Sequence, residues 1–527
     1  MTSSANHFAD RMPRGLARPV RAARNLFAAA RRATAALVLL AVAAVTLSSG
    51  GCAQSLTTGA AATQPSGLLA QGTAWENPYY IIDSGVPGPT LLVTGGVHGD
   101  EPAGYRAADQ IRHWPVARGR LIVVPRVNTP GIQANTRWLP GEPKESNNAN
   151  RNFPRTGAPN ETSSEVVRAL WAFIQREKPD WVVDLHEGTD FHNVNPSSVG
   201  SSIVFFETPE MVALAQKMQG DVNATIDNPE RRIVLRTVGP IDGGLVRATV
   251  QRCGAKGFCL ETTSTSQPLS LRTRQHRILV NRLMRDLGMA AADARVMTPR
   301  GPNRPIQAAV YDGGGTGGDG AANLTAICEA GGIGVHHLGP PDIAEGALDQ
   351  FDVVLFPGGS GKAEAAALGE QAKEAVQAFV RGGGGYVGIC AGAFLSSANY
   401  DWSLALLNNN TIPGRLHERG GGVIRIEVTD EGRRLFGGEA GPFDCKYRNG
   451  PMFLPAGLEG MPEFTTLAMF RSEICKYDEQ KGTMIDHPAI IAAPLEKGRV
   501  VAISPHPEAV PDLHYIVRGA IRWAAGE

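Results

Sequence analysis

The chain has 527 residues and equal numbers of basic and acidic side chains, 51 of each, so its formal net charge is zero. Glycine is abundant at 62 residues, aromatic residues make up 6% and hydrophobic residues 43%, which is typical of an α/β protein with many tight turns. This length predicts about two to four domains. The balanced charge, without a basic stripe interleaved with aromatic residues, argues against nucleic-acid binding.

The N-terminus has the pattern of an export signal, which we assign to residues 1–53. Arginines crowd its first part, and residues 33–47 form an apolar stretch of 15 residues. That stretch is shorter than the about 20 residues of a membrane span but suits the apolar core of a signal peptide. Residues 48–52 resemble a bacterial lipoprotein box, so either Cys52 carries a lipid or ordinary signal peptidase cleaves here. We expect export to the periplasm or cell envelope, with membrane contact only through a lipid on Cys52.

The first domain, assigned to residues 75–289, follows a small and polar segment (54–74) that we interpret as a flexible tether. Its most informative segment is Leu-Leu-Val-Thr-Gly-Gly-Val-His-Gly-Asp-Glu, residues 91–101. The apolar residues predict a buried strand that ends at the two glycines. His98 and Glu101 then lie at the C-terminal edge of a sheet, where α/β proteins build their sites, and can bind one zinc ion together.

Two more apolar runs end in residues suited to the same site. His186 ends Trp-Val-Val-Asp-Leu-His, and Glu261 ends Phe-Cys-Leu-Glu. A catalytic zinc site needs three protein ligands, one open position and a general base. We therefore predict one zinc ion per chain, held by His98, Glu101 and His186, with Glu261 as the base. The order of these residues resembles the zinc carboxypeptidases, and the glycines before His98 resemble the succinylglutamate desuccinylase/aspartoacylase branch.

A loop over residues 137–160 adds a further resemblance. Asn-Arg-Asn-Phe, which begins at Asn150, is similar to a segment of that family in which asparagine and arginine hold a substrate carboxylate. The resemblance implies this role for Asn150 and Arg151, and implies that Arg137 polarises the scissile carbonyl. The planar guanidinium suits a carboxylate. One departure is Asn148, which stands where the family has an aspartate that orients a zinc histidine; it accepts a hydrogen bond but brings no charge.

Seven cysteines are too few for a disulfide scaffold in a chain of this length. Cys253 and Cys259 lie close together just before Glu261. In an oxidising periplasm they could form a disulfide, whereas buried free thiols are the alternative.

The second domain, assigned to residues 305–527, follows a proline-rich linker at 290–304. Apolar runs ending in glycine alternate with helical stretches, which predicts a mostly parallel, doubly wound sheet. The predicted strands are 308–311, 351–356 and 384–389, and the predicted helices begin near 321 and at 371.

A second set of candidate catalytic residues lies in this domain. Gly-Ile-Cys-Ala-Gly around Cys390 has the pattern of a nucleophile elbow, in which a strand-to-helix turn exposes the thiol at a helix N-terminus. His506 ends a short strand, and Glu508 follows two residues later to orient it. These residues resemble the class I glutamine amidotransferase triad, and residues 305–525 resemble the amidotransferase-like domain at the N-terminus of some biotin–protein ligases. No ligase domain or ATP-binding synthetase partner is evident in the sequence, so amide or ester hydrolysis is the expected activity.

These patterns predict two three-layer α/β/α domains: a zinc-carboxypeptidase-like mixed sheet and a flavodoxin-like, amidotransferase-like sheet. We expect an exported zinc hydrolase, either a carboxypeptidase or an N-acyl-amino-acid deacylase, that cleaves an amide bond in a small-molecule or peptide substrate with a free carboxylate. Two alternatives fit the same residues. One is a non-catalytic envelope protein that binds peptides or cell-wall fragments; the other is a Cys390-dependent amidohydrolase with an inactive first domain.

Overall fold

The structure, a computed structural model, describes residues 64–290, 305–412 and 414–527. The predicted export signal, with Cys52, and the linker beyond residue 290 lie outside these ranges. The described residues all belong to one compact unit. Among them, no helix has the length and apolar character that a membrane span requires.

A mixed sheet of eight strands forms the first domain, in the order β1-β2-β4-β3-β5-β8-β6-β7 among the described residues. Its strands are β1 (Gly67–Leu69), β2 (Asn77–Asp83), β3 (Thr90–Gly95), β4 (Arg120–Val124), β5 (Trp181–Gly188), β6 (Ser202–Val204), β7 (Val234–Arg236) and β8 (Lys256–Thr263). The central strands β4, β3, β5 and β8 are parallel. The prediction of a flexible tether over residues 54–74 is wrong for the last part of that segment, because β1 pairs with β2 and buries Leu69.

Helices cover both faces of this sheet. They are α1 (Pro102–Ile111), α2 (Thr129–Gln133), α3 (Glu165–Glu177), α4 (Pro209–Asn223), α5 (Leu245–Cys253) and α6 (Leu269–Asp286). The apolar faces of α1, α4 and α6 pack in one core, and those of α3 and α5 pack in the other. Since both faces of the central strands are covered, β3 and β5 consist largely of apolar residues. The first domain therefore has the three predicted layers.

The second domain contains a sheet of nine strands in the order β10-β9-β11-β12-β19-β18-β17-β14-β15 within the described ranges. Its strands are β9 (Gln307–Tyr311), β10 (Gly334–Leu338), β11 (Val353–Phe356), β12 (Gly385–Ile389), β14 (Gly421–Val428), β15 (Phe443–Arg448), β17 (Thr465–Phe470), β18 (Pro488–Leu495) and β19 (Gly498–Ile503), and β13 (Asn409–Thr411) pairs separately with β16 (Phe453–Pro455). The first five strands in the order are parallel. The other four join antiparallel, so the parallel part is smaller than we predict.

The helices of the second domain also form two layers. They are α7 (Gly320–Ala330), α8 (Pro340–Ala344), α9 (Gly361–Arg381), α10 (Ala391–Leu395), α11 (Asp430–Phe436) and α12 (His514–Ala525). Helices α7, α11 and α12 pack on one face of the sheet, and α8, α9 and α10 pack on the other. The predicted helix from 371 is the second part of α9, which is interrupted at Gly369, where φ is 67°. Both predictions of an α/β/α domain are confirmed.

Charged and polar groups are buried where the two domains meet. His113 follows α1 of the first domain, and His336 lies in β10 of the second; they are 5% and 8% exposed. Burial, reinforced by nearby positive groups, lowers the pKa of His336 to about 3 and that of His113 to about 4. Both imidazoles are therefore neutral in the folded protein at neutral pH.

We expect the free energy of unfolding to fall as the pH is lowered from about 6.5 towards 4. The unfolded chain takes up protons at both histidines below their ordinary pKa of about 6.5, whereas the folded chain does not, so acid favours unfolding. One such histidine lowers the free energy of unfolding by on the order of 2 kcal/mol at pH 5. Urea denaturation at neutral pH and at about pH 5 measures the loss. The His113→Gln/His336→Gln variant should lose less than the parent; equal losses would contradict the assignment.

Candidate active site

A glycine-rich loop carries His98 and Glu101 over the C-terminal edge of the first sheet. Gly96 has φ of +67°, a left-handed conformation that favours glycine. A side chain at Gly99 would meet the backbone of Gly131 at 2.1 Å, so only glycine lets the loop pack against α2. The loop ends at Glu101, the N-cap of α1. The local sequence thereby directs both side chains towards the end of β5.

The three predicted zinc ligands come together in the structure. Nδ1 of His98 lies 2.8 Å from Oε1 of Glu101, and Nδ1 of His186 lies 2.8 Å from Oε2 of the same carboxylate. One ligand atom from each residue lies within 4.8 Å of the other two. His98 is 2% exposed, Glu101 4% and His186 1%. The sequence-based prediction of this cluster therefore agrees with the geometry.

The second nitrogen of each imidazole has its own oxygen partner. Nε2 of His98 lies 3.1 Å from Oδ1 of Asn148, and Nε2 of His186 lies 2.6 Å from Oδ2 of Asp184. Asp184 also accepts a hydrogen bond of 2.6 Å from the Thr94 hydroxyl. These contacts leave Nδ1 of each histidine directed at Glu101. Partners of this kind fix the orientation of metal-binding histidines.

The charge balance of the site fits a divalent cation. Glu101 and Asp184 are buried carboxylates next to His186, and buried charges are costly unless they are compensated. Burial opposes protonation of His186, but Asp184 and Glu101 hold its pKa well above the ordinary value. Burial likewise opposes ionisation of Glu101, but His98 and His186 keep its pKa low. A metal ion would replace the imidazolium charge, and two histidines with one glutamate are a known donor set for catalytic zinc.

Glu261 lies beside this cluster, as predicted. It pairs with His186 in the register of β5 and β8, which places both residues at the same edge of the sheet. Glu261 is 8% exposed, and burial raises its pKa to about 8. A carboxyl group with a pKa near the working pH both accepts and returns a proton. Glu261 therefore lies at the same sheet edge as the cluster, and its role as a general base stays a prediction.

The predicted substrate-binding residues lie around the same cluster. Nη1 of Arg137 donates to Oε1 of Glu101 at 2.6 Å, so this arginine contacts one of the three candidate ligands. The amide nitrogen of Asn150 lies 3.4 Å from Nε2 of His186, while its amide oxygen accepts from the backbone of Leu245. Burial and the neighbouring Arg137 lower the pKa of Arg151. The two guanidinium groups favour an anionic substrate group.

Sequence reasoning missed two side-chain contacts of this cluster. Asp184 lies two residues before His186 in β5, and the alternation of a strand puts both side chains on one face, so the Asp-x-His spacing was a usable signal. Cys259 lies two residues before Glu261, and its thiol donates to Oε1 of Glu261 at 3.6 Å. Cys253 and Cys259 are both free thiols, so the optional disulfide is not formed.

The residues of the second predicted site, Cys390, His506 and Glu508, also lie together in the structure. Cys390 connects β12 to α10 with φ of 50° and ψ of −95°, the strained turn expected of a nucleophile elbow. Nδ1 of His506 lies 2.7 Å from Oε1 of Glu508, which is 3% exposed. Burial opposes protonation of His506, but hydrogen bonds with Cys390 and Glu508 raise its pKa to about 10. The histidine is therefore a cation beside the thiol at neutral pH.

A cavity of about 850 Å³ opens onto Cys390. Lys362, Lys446 and Arg448 contribute positive charge to its wall. Tyr400 and Trp402 form an aromatic side, with their rings stacked at 4.6 Å between centroids. The cavity therefore suits a ligand that carries a negative charge and a flat or ring-shaped group.

Comparisons with protein families confirm both resemblances. Residues 87–287 match the family model described as Succinylglutamate desuccinylase/Aspartoacylase catalytic domain. Residues 347–413 match the model described as Biotin-protein ligase, N terminal. The first match contains all the candidate zinc ligands and Glu261. The second contains Cys390 but ends before His506 and Glu508.

Individual relatives match part of the chain. The N-alpha-acetyl-L-2,4-diaminobutyric acid deacetylase of Halomonas elongata is 36% identical over 114 residues, which are 21% of this chain and 32% of that protein. The apo Cell Shape Determinant protein Csd4 of Helicobacter pylori is 20% identical with a TM-score of 0.35, over 44% of this chain and 65% of that one. A succinylglutamatedesuccinylase/aspartoacylase from Rhodobacter sphaeroides is 22% identical with a TM-score of 0.31, over 42% and 62%. The chain spans about a third of the curated relative.

Proposed function

We propose that the first domain is a zinc-dependent hydrolase that cleaves an amide bond in a small substrate with a free carboxylate. The observation that carries this proposal is the convergence of His98, Glu101 and His186 beside Glu261. The family match over residues 87–287 supports the hydrolase assignment. A non-catalytic binding protein would not need a buried carboxyl group aligned with the ligand cluster.

The chain's own residues would perform the acid–base and binding steps. Zinc, when bound by His98, Glu101 and His186, supplies Lewis acidity to the scissile carbonyl and to water. Glu261 accepts a proton from the attacking water and delivers it to the leaving amine. Arg137 donates to the oxygen on which negative charge develops. The barrier falls because these groups are held in place before the substrate arrives.

The substrate class follows from the guanidinium groups and from the relative's name. Arg151 and the amide nitrogen of Asn150 would hold a carboxylate, since a guanidinium pairs well with that group. The Halomonas elongata relative is named as a deacetylase of an N-acetylated amino acid, which carries a free carboxylate. N-acyl amino acids are therefore the first substrates to test, followed by short peptides with a free C-terminus.

Metal content tests the proposal directly. The chain without its first 53 residues should contain about one zinc ion when it is analysed by plasma mass spectrometry. Removal of the metal with a chelator should abolish release of the acyl group or terminal residue, and zinc should restore it. A chain that binds no zinc after reconstitution would overturn the proposed function.

The location that we propose is the cell envelope. The arginine-rich start and the apolar stretch at residues 33–47 support export, and Cys52 supports either lipid attachment or simple cleavage. Mass spectrometry of the processed N-terminus distinguishes the two routes. A cytoplasmic, unprocessed chain would contradict export.

We propose a second activity, cysteine-dependent hydrolysis of an amide or ester, for the second domain. The contact between His506 and Glu508 and the cavity next to Cys390 support it. The cavity volume of about 850 Å³ and its cationic wall favour an anionic substrate larger than a free amino acid.

The thiol of Cys390 should react with iodoacetamide at neutral pH, and His506→Asn should slow that reaction about tenfold or more. His506 is a cation beside the thiol, and loss of this charge disfavours the thiolate. The labelling rate is measured by mass spectrometry of the peptide that contains Cys390. Cys475, which is partly exposed and does not line the cavity, serves as the internal control. Equal rates at Cys390 in parent and variant would contradict an active triad.

A further inference from the structure

The residue that follows the candidate metal ligand His186 contacts helix α6, whose first residues are bound by the second domain. Glu187, the next residue of β5, binds the Glu101 segment in two ways. Its backbone N–H donates to Oε2 of Glu101 at 3.2 Å, and its Oε2 accepts from the backbone of Ala103 at 2.7 Å. Glu187 therefore fixes both the carboxylate of a metal ligand and the helix start that carries it.

Glu187 is itself held by a charged partner from α6. Nη1 of Arg272 donates to Oε1 of Glu187, and the two side chains are 11% and 1% exposed. The contribution of a buried ion pair to stability depends strongly on its geometry, and loss of one partner leaves the other charge uncompensated. The position of Arg272 depends on the start of α6, where Ser270 contacts the second domain.

Asp312 connects this helix start to the second domain. It follows β9, and its Oδ2 accepts a hydrogen bond of 3.0 Å from the backbone of Ser270, while its carbonyl accepts from the Ser270 hydroxyl. His337 of β10 lies 3.1 Å from the same Oδ2 and fixes the carboxylate from the other side. Asp312 is thereby joined to the start of α6 at Ser270, two residues before Arg272.

We propose that Asp312 of the second domain is a positioning residue for the candidate zinc site, acting through Ser270, Arg272 and Glu187 on Glu101. This inference rests on the proposed function. The same Asp312 begins the glycine-rich loop whose residues 317–320 line the cavity at Cys390. The second domain is therefore part of the structure that holds the metal ligands, and the first domain depends on it for full metal affinity.

Zinc affinity of the full chain tests the inference. Arg272→Gln and the isosteric Asp312→Asn should each weaken zinc binding by about 10- to 100-fold in competition with a chromophoric chelator. The visible absorption of the cobalt-substituted protein should change in both variants, because the carboxylate of Glu101 is less constrained. The turnover number should fall while the KM changes little, since Arg151 and Asn150, which would hold the substrate carboxylate, are untouched.

Arg274→Gln is the matched control. Arg274 lies on the same helix and pairs across the same contact with Asp342 and Glu345, but it has no contact with Glu187 in the described structure. Its zinc affinity should stay close to that of the parent. If Arg272→Gln and Asp312→Asn bound zinc as tightly as the parent, this inference would be overturned while the proposed function stood. A loss of zinc affinity in Arg274→Gln equal to theirs would overturn it in the same way. A parent chain without zinc would overturn the proposed function and this inference together.

Discussion

Glu261→Gln should retain zinc and lose about 10²- to 10⁴-fold in turnover number. Glutamine preserves the shape of the side chain and the hydrogen-bond capacity of one oxygen, but it cannot accept a proton from water. Because Glu261 is not one of the three ligand residues, zinc content should be unchanged. The measurements are zinc per chain and the rate of hydrolysis of an N-acyl amino acid.

A control for this variant separates the loss of the base from a general effect of the substitution. Glu177→Gln changes a carboxyl group of the same domain that pairs with Arg120 and lies outside the cluster. It should leave the rate within about twofold of the parent, because its ion-pair partners, Arg120 and Arg176, also lie outside the cluster. An active, zinc-loaded Glu261→Gln protein would remove Glu261 from its role. Zinc binding without turnover in the parent would instead favour the non-catalytic binding protein.

The sequence predicts the candidate zinc site well because strand ends are visible in it. His98, His186 and Glu261 each follow a short apolar run, and parallel strands bring such ends to one edge of the sheet. His186 and Glu261 are direct neighbours in the register of β5 and β8, although 75 positions separate them in the chain. The position of Cys390 can be predicted from the sequence for the same reason, because a glycine-flanked turn follows its strand.

Contacts that depend on tertiary packing could not be predicted in the same way. Arg272 looks like any surface arginine of an amphipathic helix, and only the packing of α6 against the end of β5 shows that it is buried against Glu187. The four antiparallel strands of the second sheet lack the strand–helix alternation that predicts a parallel sheet. Strand β1 consists of three residues, too few for an apolar period, and is stabilised by its pairing with β2.

His98→Ala should abolish stoichiometric zinc binding and, with it, hydrolysis. The substitution removes one of three ligands and also the partner of Asn148, so the loss should exceed the about 10- to 100-fold that follows from changes outside the ligand set. The fold should survive, because His98 lies on a loop at the sheet edge and the strands of the core are unchanged. Plasma mass spectrometry after dialysis against zinc measures the content, and circular dichroism checks the fold.

His192→Ala is the matched control for that substitution. His192 lies in the loop after β5, where its Nδ1 bonds to the carbonyl of Ser198 at 2.7 Å, and it is not one of the clustered ligand residues. The control should keep about one zinc per chain, since all three ligands remain. If His98→Ala also kept a full zinc ion, the metal would be bound elsewhere and the assignment of this site would be wrong. If only His98→Ala lost it, the convergence of the three strand-end residues would be the metal centre on which the hydrolase activity depends.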